Sequence, residues 1–185
     1  MLQEYPFSPT GAHPEVLLPK VDAVMVGLAR QNKNGELELF VTTTTLNGEE
    51  ILTFPGGKVE NETPEEAAMR ELYEEVGVKE LKDLQFVAFA DLPPRDGKTK
   101  MRVMGFVTTR WTGTPHSKKP EEVTLSGFMT REKVAYYMDK LHQNNKDMLD
   151  AFDLVKQMVQ TKVITFPPEV PVHATTFPND VPIVD

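Results

Sequence analysis

The chain has 185 residues, 39% of them hydrophobic and 26% charged, which suits one globular domain with extensions at its ends. Cysteine is absent, so disulfides, thiolate zinc sites and a cysteine nucleophile are excluded; this is compatible with a cytoplasmic location. The formal net charge of -8 and the lack of any long Lys/Arg run argue against a nucleic-acid partner. No apolar run is long enough to cross a membrane, and MLQEYPFSPTG lacks the blocks of a signal peptide.

Residues 1–20 hold four prolines and read as an N-terminal arm. VDAVMVGLAR (21–30) is Val-rich and weakly alternating, so a strand is predicted. The Asn-Gly of NKNGE (32–36) predicts a hairpin, with ELELFVTT (36–43) returning. A polar loop is expected over 44–50, then a short strand ILTF (51–54) running into Pro55, Gly56 and Gly57. Residues 56–78 read as one loop and one helix. LQFVAFADL (84–92) and MRVMGFVTTRW (101–111) form a second antiparallel pair around the turn PPRDGKTK. A loop follows over 112–122, then a short strand, VTLSGFM (123–129). Thr130 caps a helix over 131–142, and apolar residues three and four apart predict a last helix over 146–160. Residues 161–185 contain five prolines and read as an extended tail. Strands separated by a few helices, with antiparallel hairpins, predict an α/β fold with a mixed, largely antiparallel sheet.

The stretch GGKVENETPEEAAMRELYEEVGV carries six glutamates between Glu62 and Glu75. Thr63, Pro64 and Glu66 form a start signal with a capping box, and Gly77 is a stop, so a helix is predicted from Pro64 to Val76. Glu65 and Glu66 suit the helix dipole in the first turn. Glu71, Glu74 and Glu75 do not, because they lie near the C-terminal end and repel one another at i+3 and i+4. A helical projection puts Leu72, Val76, Met69 and Tyr73 on the buried stripe and the three acids in one patch, with Glu75 against the core edge. A surplus of solvated glutamate is one reading of that patch. A divalent-cation site is the other, since hard cations take oxygen ligands and would remove the repulsion. Gly56 and Gly57 allow the backbone to approach a ligand or metal closely.

Gly56, Glu62 and Arg70-Glu71-Leu72-Tyr73-Glu74-Glu75-Val76-Gly77-Val78 together resemble the Nudix hydrolase signature. The order of strands and helices from about residue 20 to 160 is also similar to that family, so residues 21–160 are expected to form the domain. The resemblance implies a Nudix-type α/β/α sandwich and a Mg²⁺-dependent (or Mn²⁺-dependent) pyrophosphohydrolase. Its substrate would be a small nucleotide, a nucleoside diphosphate linked to another group. FPGGKVE is more similar to MutT-type members, which points to a nucleoside triphosphate. NDP-sugars, ADP-ribose and dinucleoside polyphosphates are the alternatives, and a non-catalytic nucleotide- or protein-binding module is another.

By the same resemblance Glu74 and Glu75 are metal ligands, Glu71 is a ligand or the base, and Gly56 belongs to the metal loop. Arg70 holds the glutamates by ion pairing and Glu62 braces the loop. The loop is one residue shorter than the usual form, and Thr42-Thr43-Thr44-Thr45 stand where triphosphate-cleaving relatives often carry arginines. Glu122, or else its neighbour Glu121, is the candidate for a further carboxylate from a later loop; a solvated loop is the competing reading. Arg95, Lys98, Lys100 and Arg102 cluster about a hairpin and could meet substrate phosphates or simply solvate a turn. His116 reads as an exposed loop histidine, and Trp111, Tyr136 and Phe128 as core. Phe166, Phe177, Ile183 and Val184 predict that the tail packs on the domain or on a second subunit of a homodimer.

Overall fold

The computed structural model describes residues 20–46, 48–92, 100–118, 126–141, 143 and 146–167. β1 (Ala23–Gln31) and β2 (Leu37–Leu46) form the first hairpin. Its turn is closed by the Asn32 side chain, whose Oδ1 accepts from the amides of Asn34 and Glu36 at 2.9 and 3.0 Å. β2 runs further than expected. Thr44 and Thr45, assigned to a polar loop from sequence, pair with Ile51 and Glu50 of β3 (Glu49–Thr53). Four β-branched residues in a row favour the extended backbone, and ladder pairing outweighs their polarity.

β4 (Gly56–Lys58) corrects a second expectation, because the double glycine is a short strand antiparallel to β1 and not a loop. After α1 (Pro64–Val76), β5 (Glu80–Lys82) pairs with β8 (Arg110–Thr112) in a separate two-stranded sheet that the sequence did not suggest. β6 (Gln85–Leu92) and β7 (Met101–Thr108) are antiparallel as expected. β7 then lies parallel to β1, and β9 (Ser126–Met129) pairs with β2. The main sheet runs β3-β2-β1-β7-β6, with β4 on β1 and β9 on β2. α2 (Arg131–Lys140) and α3 (Lys146–Gln160) follow.

The sheet separates two cores. Leu39 and Val41 point to one side and pack with Met138, Phe152 and Val155 of α2 and α3. Phe40 points to the other, with Val24, Val26 and Leu28, and meets Leu72 and Val76 of α1. This alternation is the strand period of two, and it makes the fold the α/β/α sandwich expected. The start of the tail belongs to the first core: Ile164 is buried, Phe166 packs against it, and Thr109 Oγ1 donates to the Thr165 carbonyl at 2.8 Å. Phe177, Ile183 and Val184 lie outside the described residues. Trp111 stacks on Phe128, which also meets Phe40 edge-on, so these rings pack on one another as expected. Tyr136 corrects that expectation, since it is exposed. Among the described residues no helix is long and apolar enough to cross a membrane.

Candidate active site

α1 begins and ends where its local signals say. Thr63 Oγ1 accepts from the Glu66 amide, the Glu66 carboxylate accepts from the Thr63 amide, and Gly77 closes the helix in the left-handed region at φ 71°. The face it buries differs from the projection. Ala67, Ala68, Leu72 and Val76 are buried, whereas Tyr73 is 54% exposed. The helix is therefore rolled so that its two alanines meet the sheet. That roll carries Glu71 and Glu75 towards β4 and leaves Glu74 the more open of the three acids.

The Arg70 guanidinium gathers the carboxylates. Its Nη2 donates to Glu62 at 2.7 Å and to the Lys58 carbonyl at 2.8 Å. Its Nη1 donates to Glu71 at 2.8 Å and, more weakly, to Glu74 at 3.5 Å. Donating to Glu62 and then to Glu71 raises the Arg70 guanidinium above the usual arginine range, and the bond from Arg70 holds the Glu62 carboxyl below its ordinary value. The shortened loop thus still brings Glu62 to Arg70.

β4 supplies the other wall. The Gly56 amide donates to Glu75 Oε2 at 3.0 Å. Gly57 was paired with Gly56 in the sequence reading, but its separate role is visible only here. A Cβ on Gly57 would collide with the Glu71 carboxylate, so glycine is required for that close approach. Three carboxylates, from Glu62, Glu71 and Glu74, thus share one guanidinium, and the fourth acid, Glu75, is held from β4. The oxygen-only donor set and the surplus negative charge fit Mg²⁺ or Mn²⁺ in chemical type. Among the described residues no three acids already converge on one point.

Beside Glu75 opens a cavity of about 390 Å³, a size suited to a nucleotide. Thr42, Thr43, Thr44 and Thr45 line it, with Thr53, Phe54, Lys58, Leu92, Met101 and Ser117. The sequence marked the threonines only as a lack of arginines; as residues of β2 they belong to the cavity wall. No local signal could have shown this, since it depends on the pairing of β2 with β3.

The other candidates are less gathered. Arg102, the candidate for substrate phosphate, pairs with Asp91 of β6 at 3.0 Å, and its amide donates to Asp22 at 2.9 Å. The Arg102 bond holds the Asp91 carboxyl below its usual range. Lys100 is exposed beside it. Arg95, Lys98, Glu121 and Glu122 lie outside the described residues. His116 is exposed, as expected, and its ring lies against Gly77 at the end of α1.

The NUDIX domain family matches residues 21–152. Over 99 residues the chain is 34% identical to the 8-oxo-dGTP diphosphatase of Escherichia coli (strain K12), covering 52% of this chain and 72% of that protein. The 8-oxo-dGTP diphosphatase of Haemophilus influenzae is 35% identical over 108 residues, which span 56% of this chain and 74% of that protein. A solved structure from a study of MutT from Aliivibrio salmonicida and Vibrio cholerae is similar in fold, with TM-score 0.51 and 23% identity over 74% of this chain and 98% of that chain. With the family matched across most of the domain and the signature acids joined through Arg70, this chain belongs to the NUDIX domain family.

Proposed function

We propose that the protein is a Mg²⁺-dependent pyrophosphohydrolase of nucleoside triphosphates, with Mn²⁺ as a substitute cation. The observation that carries this reading is the joining of Glu62, Glu71 and Glu74 through Arg70 next to the Gly56–Glu75 bond, at the edge of a nucleotide-sized cavity. The likeness to two 8-oxo-dGTP diphosphatases supports a triphosphate over the other nucleoside diphosphate derivatives and brings oxidised purine nucleotides into the panel to test.

When bound, the cation neutralises phosphate oxygens, orients them and lowers the pKa of attacking water. Glu71, Glu74 and Glu75 would hold it, with the Gly56 segment alongside. Arg70 aims Glu71 and Glu74, and Gly56 aims Glu75, so each acid is fixed by a partner outside the reacting atoms. Glu71 is also the candidate to take a proton from the water, because Arg70 and Gly57 hold it against β4. The cavity takes the nucleoside, with threonine hydroxyls as hydrogen-bond partners and Phe54, Leu92 and Met101 as apolar contacts. Cytoplasmic residence belongs to this reading, supported by the lack of cysteine and by the nature of the substrate.

The test is phosphate or pyrophosphate release over a panel of canonical and 8-oxo triphosphates, NDP-sugars, ADP-ribose and dinucleoside polyphosphates, with and without Mg²⁺. Cation-dependent cleavage of triphosphates is the expected result. Turnover confined to another class would replace the substrate assignment, and no turnover of any nucleotide would leave a binding module.

A further inference from the structure

We infer that residues 113–118 form a strap that positions Glu75 by fastening the C-terminal turn of α1, with His116 as its seat. The inference rests on the reading of Glu75 as a metal ligand. The last carbonyls of a helix have no partner within it, and a loose final turn would leave any ligand there poorly aimed. Here Glu75 itself stands in that turn, two residues before Gly77.

The strap supplies the missing partners. The His116 amide donates to the Val76 carbonyl at 3.0 Å, and the Lys118 amide donates to the Glu75 carbonyl at 2.9 Å. Just before the strap, the Lys79 amide donates to the Thr112 carbonyl at 3.0 Å, so β8 is tied to the segment leaving the helix. The His116 ring fills the space over Gly77: a Cβ there would stand 2.7 Å from its Cε1. The ring is itself oriented by Nδ1, which lies 2.7 Å from the Thr114 carbonyl. At the far end the Lys118 ammonium sits 3.8 Å over the Tyr73 ring, on the exposed side of α1. Between His116 and Lys118, Ser117 lines the cavity that Glu75 also lines.

Glu75 is thus held from two directions. Its carboxylate is held by β4 through Gly56, and its backbone carbonyl by the strap through Lys118. His116 is a positioning residue acting through the helix end.

The test uses the full chain and Mn²⁺ as probe, titrated without substrate and read by the free-ion electron paramagnetic resonance signal. His116→Ala should weaken Mn²⁺ binding about tenfold. In the same variant the KM for nucleotide at saturating metal should stay within about twofold. His116→Phe, which keeps a ring over Gly77, should recover Mn²⁺ affinity to within about threefold of wild type. Wild-type Mn²⁺ affinity in folded His116→Ala would overturn the inference, as would a loss that His116→Phe does not repair. Should His116→Ala fail to fold, Lys118→Ala decides: about threefold weaker Mn²⁺ binding supports the strap, and unchanged binding overturns it. A wild-type protein that binds no Mn²⁺ would instead remove the metal reading on which the strap depends.

Discussion

Gly57 and Glu71 are fourteen residues apart in sequence and in contact in space, with the carboxylate of one lying where any side chain of the other would have to be. The glycine makes room for the acid, and the acid explains the glycine. Gly57→Ala should therefore push Glu71 off its Arg70 bond. The displaced atoms are the far end of a flexible side chain, so the fold should lose little stability. Misplacing a group at the reacting centre should lower kcat by about tenfold or more. Steady-state kinetics with a thermal melt checks both, and a fully active Gly57→Ala enzyme would show that Glu71 tolerates displacement.

Glu75→Gln should nearly abolish hydrolysis while leaving the fold intact. Glu75 stands four residues from Glu71 on one helix, so removing one charge relieves repulsion between them. The melting temperature without metal should hold or rise. A glutamine oxygen can still accept from the Gly56 amide, so the local hydrogen bond need not be lost. Unchanged turnover at saturating substrate would remove Glu75 from the reaction.

Mg²⁺ or Mn²⁺ should raise the melting temperature of the wild type more than that of Glu71→Gln. Binding to the native state stabilises by mass action, about 2.7 kcal/mol at a metal concentration 100 times Kd. The carboxylates are brought together only in the folded helix against β4. Equal shifts in the two proteins would put the cation elsewhere.

Glu62 makes an acid-side prediction. Its hydrogen bond from Arg70 depresses its folded pKa below the ordinary 4.5. A carboxyl of this kind stabilises the fold above its unfolded pKa, and that stabilisation is lost as pH falls through the folded value. The melting-temperature gap between wild type and Glu62→Gln should be full at neutral pH and shrink as pH drops below 4.5. A gap of the same size at about pH 3 and about pH 7, below and well above the ordinary glutamate value, would mean that the pair is not what braces the loop.

Glu122→Gln, or failing that Glu121→Gln, should lower kcat by about tenfold, with a smaller change in KM, as for a group acting in the transition state. The strap ending at Lys118 leads directly into the segment that carries both acids. Wild-type kcat in the double variant would leave Glu71 as the base.

The sequence by itself determined the features that depend on neighbours within about four residues. The start of α1 at Thr63-Pro64, its capping box and its stop at Gly77 all stand where those residues put them. So do the Asn-Gly hairpin, the Thr130 cap and the bounds of α3, because caps and turns are closed by groups close along the chain. The i,i+4 spacing made Arg70 a partner for Glu66 or Glu74, and the structure selects Glu74, whereas the bonds to Glu62 and Glu71 were implied only by the resemblance.

Tertiary structure decided the rest. The roll of α1 was set by the fit of Ala67 and Ala68 against the sheet, and it turned Tyr73 outwards and Glu71 inwards. The periodicity of the helix allows several apolar arcs, and only the opposing surface selects one. The double glycine became a strand because β1 was there to pair with it. The threonines of β2 became a cavity wall because β3 extended the ladder beside them. His116 gained its place over Gly77 from a loop that returns about forty residues later in the chain. Each of these contacts joins segments that no local pattern relates, so their geometry exists only once the sheet and helix have packed.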